Sequence, residues 1–380
     1  MSRMTILIGA GATQDLTNVS TDSLTELLTS DTEYGLQFKT IQKYLGNDAS
    51  FEQIIGHLLF LFSVREDAIK HNVLFSKALV KNPQSPKIDD MSVYKMIKKA
   101  LSIVCREINQ SNHMPIHDIC DFDKLMTLCV EPHSGQISIF SLNYDSLDEQ
   151  WLSEHYIKYE NGFDTLNPLL DGNTRASQFE NVQALFNQER NIDCHIHGSI
   201  FYASSAVHNT PSQYSLSKYE QPVAANGDTT LIHENDDGTL SFLGPIVVGA
   251  NKQIQITEVE PFPIYHSLFT RDTITSRIFV IIGYGFHDDY IDWNLSGLFQ
   301  TAKQGRLVIM IKPPDKTSDV TGHTKDRDIF EKFCELNTID RTKNLIWTSD
   351  AVIWYRGKVE DAVKDEYFIS IITKAIKTHS

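Results

Sequence analysis

Five apolar runs along the chain lack the alternation of a half-exposed strand. Residues 4–16 read MTILIGAGATQDL, in which Thr5 to Ile8 close on Gly9-Ala10-Gly11. The others are ISIFSLN (137–143), IDCHIHGSI (192–200), RIFVIIGYG (277–285) and RLVIMIKPP (306–314). Near-continuous apolar runs of this length predict strands buried on both faces of a parallel sheet. NLIWTS and AVIWYRG, within 344–357, predict one or two more short strands. The intervening pattern is helical. Ser20 with Ser23 opens a helix, and FEQIIGHLLFLFSVREDAIKH (51–71) and MSVYKMIKKALSIVCREI (91–108) carry apolar positions at helical spacing. Pro83, Pro86 and Asp89-Asp90 break the two apart. Further helices are expected at about 145–154 and 359–378. The prediction is an α/β fold: a mostly parallel sheet with helices on both faces, over residues 1–30 and 131–380, with a helical insertion at 31–130. Residues 204–240 are polar, with a hairpin expected around Asp237-Gly238; a surface loop and a lid over a pocket are both open readings.

Composition narrows the class. The 380 residues are 41% hydrophobic and 22% charged, a globular balance. No run of about 18 apolar residues exists to span a membrane. A strand close to the N-terminus, without a basic flank and cleavage site, predicts no signal peptide. Five scattered cysteines with no CxxC pair predict reduced thiols and a cytoplasmic location, and argue against a four-cysteine zinc site. A net charge of −15 repels phosphate backbones, so no direct nucleic-acid binding is expected. The short basic cluster Lys95-Met96-Ile97-Lys98-Lys99 reads as a solvated helix face.

Four strand ends carry candidate chemistry. Gly9 and Gly11 fit the first two positions of a GxGxxG dinucleotide fingerprint, but Gln14 fills the third and the next segment is helical, which removes the dehydrogenase reading. A strand-to-turn passage remains, whose backbone N–H groups can face a phosphate. In SLNYD (141–145), Asn143 offers a donor and an acceptor for a ribose hydroxyl or a water, and Asp145 can cap the following helix. In HIHGS (195–199), His197 can serve as a general base, and Gly198 lets a ligand approach the backbone. Cys194, His195 and His197 could hold a metal, but a regular strand turns Cys194 away from both histidines; no metal is expected. In GYGFHDD (283–289), the acids sit where a helix N-terminus favours them.

Taken in order, GAGAT (9–13), SLNYD, HIHGS and GYGFHD resemble the sirtuin superfamily, and more narrowly the sirtuin-like NAD⁺ hydrolases of bacterial anti-phage defence. The resemblance implies a Rossmann-like core over about residues 1–30 and 131–312. It implies that Gly9, Ala10, Gly11, Ala12 and Thr13 line the pyrophosphate. Asn143 and Asp145 would hold the nicotinamide ribose and its water, and His197, followed by Gly198 and Ser199, would be the catalytic histidine. Gly283, Tyr284 and Asp288 would take the adenosine side. Deacetylating sirtuins carry a four-cysteine zinc module after the histidine, where this chain has only Cys334. They also continue GAGAT with a Gly-Ile-Pro, Asp-Phe-Arg stretch, where residues 14–19 here read Gln-Asp-Leu-Thr-Asn-Val. NAD⁺ is thus expected as substrate, without zinc.

The expected reaction is NAD⁺ glycohydrolysis to nicotinamide and ADP-ribose. The pyridinium departs neutral and needs no acid, and the enzyme must shield an oxocarbenium-like sugar and position water, as in other glycoside chemistry. Asn143 and His197 are the expected catalytic pair. NAD-dependent deacylation or ADP-ribosyl transfer, and a non-catalytic NAD or ADP-ribose sensor, are the competing readings. The resemblance also implies gating, with a homo-oligomer and a separate regulatory partner such as a ring-forming ATPase of the DNA-translocase type.

Overall fold

The computed structural model describes residues 2–13, 17, 19–70, 90–111, 120–164, 169–171, 174–204, 214–222, 232–234, 240–242, 244–248, 252–286, 288–302, 305–312, 345–348 and 352–380. β1 (Arg3–Ile8) leads through a tight turn (Ala10–Ala12) to α1 (Thr21–Ser30), α2 (Gly35–Leu45), α3 (Phe51–Lys70), α4 (Asp90–Ser111) and α5 (Cys120–Val130). Next come β2 (Gln136–Ser141), α6 (Leu147–Glu154), β3 (Tyr159–Glu160), β4 (Leu169–Asp171), β5 (Thr174–Ser177), α7 (Val182–Leu185) and β6 (Asn191–His195). β7 (Tyr202–Ser204), β8 (Tyr214–Tyr219), β9 (Ile232–Glu234), β10 (Leu240–Phe242), α8 (Lys252–Glu258), β11 (Val259–Glu260) and α9 (Phe262–Thr275) continue the chain. It closes with β12 (Ile278–Ile282), α10 (Asp289–Ala302), β13 (Leu307–Ile311), β14 (Leu345–Thr348), β15 (Val352–Tyr355), α11 (Val359–Ala362) and α12 (Glu366–His379).

The main sheet has the order β14-β15-β13-β12-β1-β2-β6-β3. All its neighbours pair in parallel except β14, which runs antiparallel to β15 at one edge. From β6 to β15 the chain order of the strands is 3-2-1-4-5-6, the Rossmann order. The expected α/β fold with a mostly parallel sheet therefore holds. The chain leaves β1 first toward β2 and β6, then returns to its other side through β12. That reversal is the switch point, where open α/β sheets hold ligands beyond their carboxyl ends.

Both faces are covered, which is why the strands read as unbroken apolar runs. Leu7, Phe140, Cys194, Ile281 and Met310 face a core with Tyr265, Leu268 and Phe269 of α9 and Ile291 and Leu295 of α10. Ile6, Ile139, Val280, Ile309 and Ile353 face the opposite core, with α5, α6 and α12. Strand registers put Asp193 on this second side, beside Ile139.

The helical layer has its own core: Leu24, Phe38, Phe51, Ile55, Leu58, Met96, Ala100 and Val104. Its α1 starts at a capping box, in which Ser20 and Ser23 exchange side-chain-to-backbone bonds. That core includes Tyr144, Ile200, Ile246 and Val248, so the layer sits on the loops beyond β2 and β6. Packing groups α1 with these helices and α5, through Phe122, Leu125 and Met126, with the sheet. Periodicity reports an apolar face but not the surface it meets, so it draws the edges of the insertion elsewhere. β9 and β10 form the expected antiparallel hairpin; its turn, like much of 204–240, lies outside the described residues.

Candidate active site

The turn after β1 packs directly on the turn after β12. Gly11 N–H donates to the Gly283 carbonyl at 2.9 Å, and Gly9 N–H to Ile282 at 2.9 Å. Gly283 has φ +65°, and a Cβ there would lie 2.0 Å from Ala12 N. The glycines are thus required by contact between two backbones. The N–H groups of Gly9, Gly11, Ala12 and Thr13 all bond to backbone carbonyls within these turns. Ala10 is exposed, and with Thr13 it lines a cleft; Gln14 lies outside the described residues.

That cleft, about 90 Å³, lies between the sheet and the helical layer. Leu142, Asn143, Tyr144 and Asp145 form one wall, and Ser20, Leu24, Phe51 and Glu52 the other. Asn143 Nδ2 donates to Thr13 Oγ1 at 3.0 Å. Asn143 Oδ1 is buried without a hydrogen-bond partner among the described residues. Asp145 Oδ1 accepts from Leu147 N–H at 3.1 Å, one residue ahead of the helix N-cap at Ser146. Burial, with the nearby Asp148 charge, raises its carboxyl to about 6.

His197 is enclosed rather than lining the cleft. Its Nε2 lies 3.0 Å from Asp288 Oδ2, and Lys252 Nζ lies 2.7 Å from the same oxygen. Burial and the Lys252 charge lower the His197 pKa, against the raising pull of Asp288 and Glu52. Burial would raise the Asp288 carboxyl, but bonds and charges from His197 and Lys252 take it well below the carboxylate range. Asp288 Oδ1 caps α10 by accepting from Tyr290 and Ile291 N–H. It thus joins the fourth motif to the third. Tyr284, expected at the adenosine, has its hydroxyl 2.7 Å from Asp292 Oδ1. Gly198, φ +89°, meets another backbone: an added Cβ would be 2.1 Å from the Pro245 carbonyl. Ser199 N–H donates to that carbonyl at 3.0 Å. His287 lies outside the described residues.

Cys194 and the histidines are separated as expected, and His197 and His195 also part company. His195 meets Asp148, Asp193 and Glu149 behind the loop of Asn143. Sequence reasoning missed Glu52, which accepts from Tyr144 Oη at 2.9 Å, and Lys252. Neither sits in a motif; only the fold brings them to the site. Asp193 left a signal, a lone acid inside an apolar strand.

A doubly wound sheet with polar side chains gathered beyond its switch point defines the nucleotide-binding α/β class. Within that class, the family model of the SIR2-like domain matches residues 137–332, just over half of the chain. The chain belongs to that family, whose members process NAD⁺. No curated protein matches it. The matched span begins in β2, so the opening glycine turn lies before it.

His266 gives the region a pH signature. Burial, reinforced by the His197 charge, lowers its pKa from 6.5 to about 3. The folded state keeps it neutral while the unfolded chain takes up a proton below about 6.5, so stability falls as pH drops from there toward about 3. One such proton costs about 1.4 kcal/mol per pH unit. Between pH 7 and pH 5, His266→Gln should therefore lose about 2 kcal/mol less stability than the parent in urea unfolding. Equal losses would contradict the assignment.

Proposed function

We propose that the protein is an NAD⁺ glycohydrolase that releases nicotinamide and ADP-ribose. The observation that carries this reading is Asn143. Its amide is fixed by Thr13 at the carboxyl end of β2, and its buried Oδ1 is left as an acceptor at the wall of the cleft. In this reading the carbonyl holds a ribose hydroxyl or the attacking water. His197 is the base. With Nε2 turned to Asp288, Nδ1 is the ring atom left to take a proton from the ribose or the water. Asp288 positions the ring. Asp145 and Glu52, which line the cleft, supply the negative charge that stabilises the sugar cation.

Activity is gated in this proposal. The enclosure of His197 beneath Lys252 and Asp288, outside the cleft lining, supports a resting form that opens when the helical layer shifts. Exposed Tyr44 of α2 and Phe60 of α3, bridged by the His57 ring, form an aromatic patch suited to a second copy of the chain. We propose that a homo-oligomer, with a ring-forming ATPase as regulator, controls NAD⁺ depletion during phage infection; the sequence resemblance supports that role.

Incubation with NAD⁺ should give nicotinamide and ADP-ribose without an acetylated peptide. His197→Ala should cut the rate by about 10²- to 10⁴-fold with NAD⁺ binding kept. A parental rate in that variant, or release that requires the peptide, would refute the assignment. Asp288→Asn removes the negative charge that raises the His197 pKa, so the acidic limb of the kcat/KM profile should move to lower pH. An unmoved limb would exclude His197 as the base it titrates. Light scattering should give an oligomer for the parent and a smaller species for Tyr44→Glu. A monomeric parent with full activity would rule out assembly-based gating.

A further inference from the structure

Behind the Asn143 loop, Asp148 of α6 and Asp193 and His195 of β6 bring three potential ligand atoms within 4.8 Å of one another. All three residues are at most 2% exposed. Asp148 Oδ2, both oxygens of Asp193 and His195 Nε2 are buried with no hydrogen-bond partner among the described residues. Unpaired buried acceptors each carry a desolvation cost.

The orientation of His195 defines what the cluster lacks. Its Nδ1 lies 3.3 Å from the Asn143 carbonyl. A carbonyl only accepts, so Nδ1 carries the hydrogen, and neutral imidazole then turns the Nε2 lone pair toward the carboxylates. A ring N–H bonded to a backbone carbonyl is the usual support of a metal-ligating histidine. Asp148 Oδ1 lies 3.5 Å from Nε2, and Glu149 Oε1 3.8 Å. Both exceed the roughly 2.7–2.9 Å of a charge-assisted hydrogen bond. The first matches the spacing of about 3.3–3.6 Å between two ligands on one tetrahedral ion with bonds of about 2.0–2.2 Å.

We propose that Asp148, Asp193 and His195 bind one divalent transition-metal ion of the Zn²⁺ or Mn²⁺ kind. Imidazole nitrogen with carboxylate oxygen, and no thiolate, is the donor set that suits these ions. Charge agrees. Bound as carboxylates, Asp148 and Asp193 balance the two charges of the cation, their protons being displaced on binding, and Lys218 pairs with Glu149. The ion is structural. Through His195 it fixes the carbonyl of Asn143 and so the loop that carries the candidate catalytic amide. This site is distinct from a four-cysteine zinc module, and from Cys194, which faces the other side of the sheet. It stands or falls independently of the NAD⁺ reading.

The test is metal content. The full chain, expressed in medium supplemented with Zn²⁺ and Mn²⁺, should carry close to one ion per chain by mass spectrometry. Burial should retain it through brief dialysis against a chelator. Asp193→Asn and His195→Gln should lose the ion, and Cys194→Ala should keep it. Protein refolded without metal should melt at a higher temperature when Zn²⁺ or Mn²⁺ is added, because a ligand that binds only the folded state stabilises it. Neither variant should respond. Asp193→Asn removes a buried charge, so loss of its fold does not confuse the comparison. A folded parent with no stoichiometric metal and no melting shift would overturn the proposal, leaving a shared proton to balance the cluster. Equal metal content in the parent and both variants would overturn it too.

Discussion

Everything at the site rests on the contact between two backbones. The turns after β1 and β12 touch through Gly9, Gly11 and Gly283, at distances that admit no Cβ. This contact closes the sheet at its switch point and spends the turn's N–H groups internally. In the proposed reading, side chains on the neighbouring loops, Thr13 and Asn143 first among them, recognise the ligand.

The helical layer turns an open sheet edge into an enclosed site. Its core continues into Tyr144, Ile200, Ile246 and Val248, so the loops that carry Asn143 and His197 are roofed by α3 and α4. Enclosure strengthens each electrostatic contact beneath it, since buried charges are screened less than those in water. His197, Asp288 and Lys252 form one charge-coupled group under that roof, and Asp148, Asp193 and His195 form another behind the loop. Behind the loop, His195 meets the Asn143 carbonyl at 3.3 Å.

How much was legible depended on the range of the interaction. The strands at 137–143, 277–285 and 306–314 could be read directly, because burial on both faces leaves few polar positions. Ser20 and Ser23 announced α1 through a local capping box. The four motifs could be placed at strand ends, since a strand followed by glycine or polar residues is a local pattern. Their assembly was another matter. Asp288 reads as a helix cap, and it is one, but its second oxygen serves His197. His195 and His197 share a strand end and even a face by spacing, yet they enter different clusters because the chain bends at Gly198.

The sequence by itself determined the long strands of the main sheet, its mostly parallel character, the capping of α1 and the four polar strand ends, because each is a property of neighbouring residues. Only the tertiary structure decided that the opening glycines meet Gly283, that Glu52 and Lys252 join the site, and that Asp193 faces Asp148 and His195. These contacts span tens to hundreds of residues. Strand register and helix docking set them, and neither is a function of local spacing.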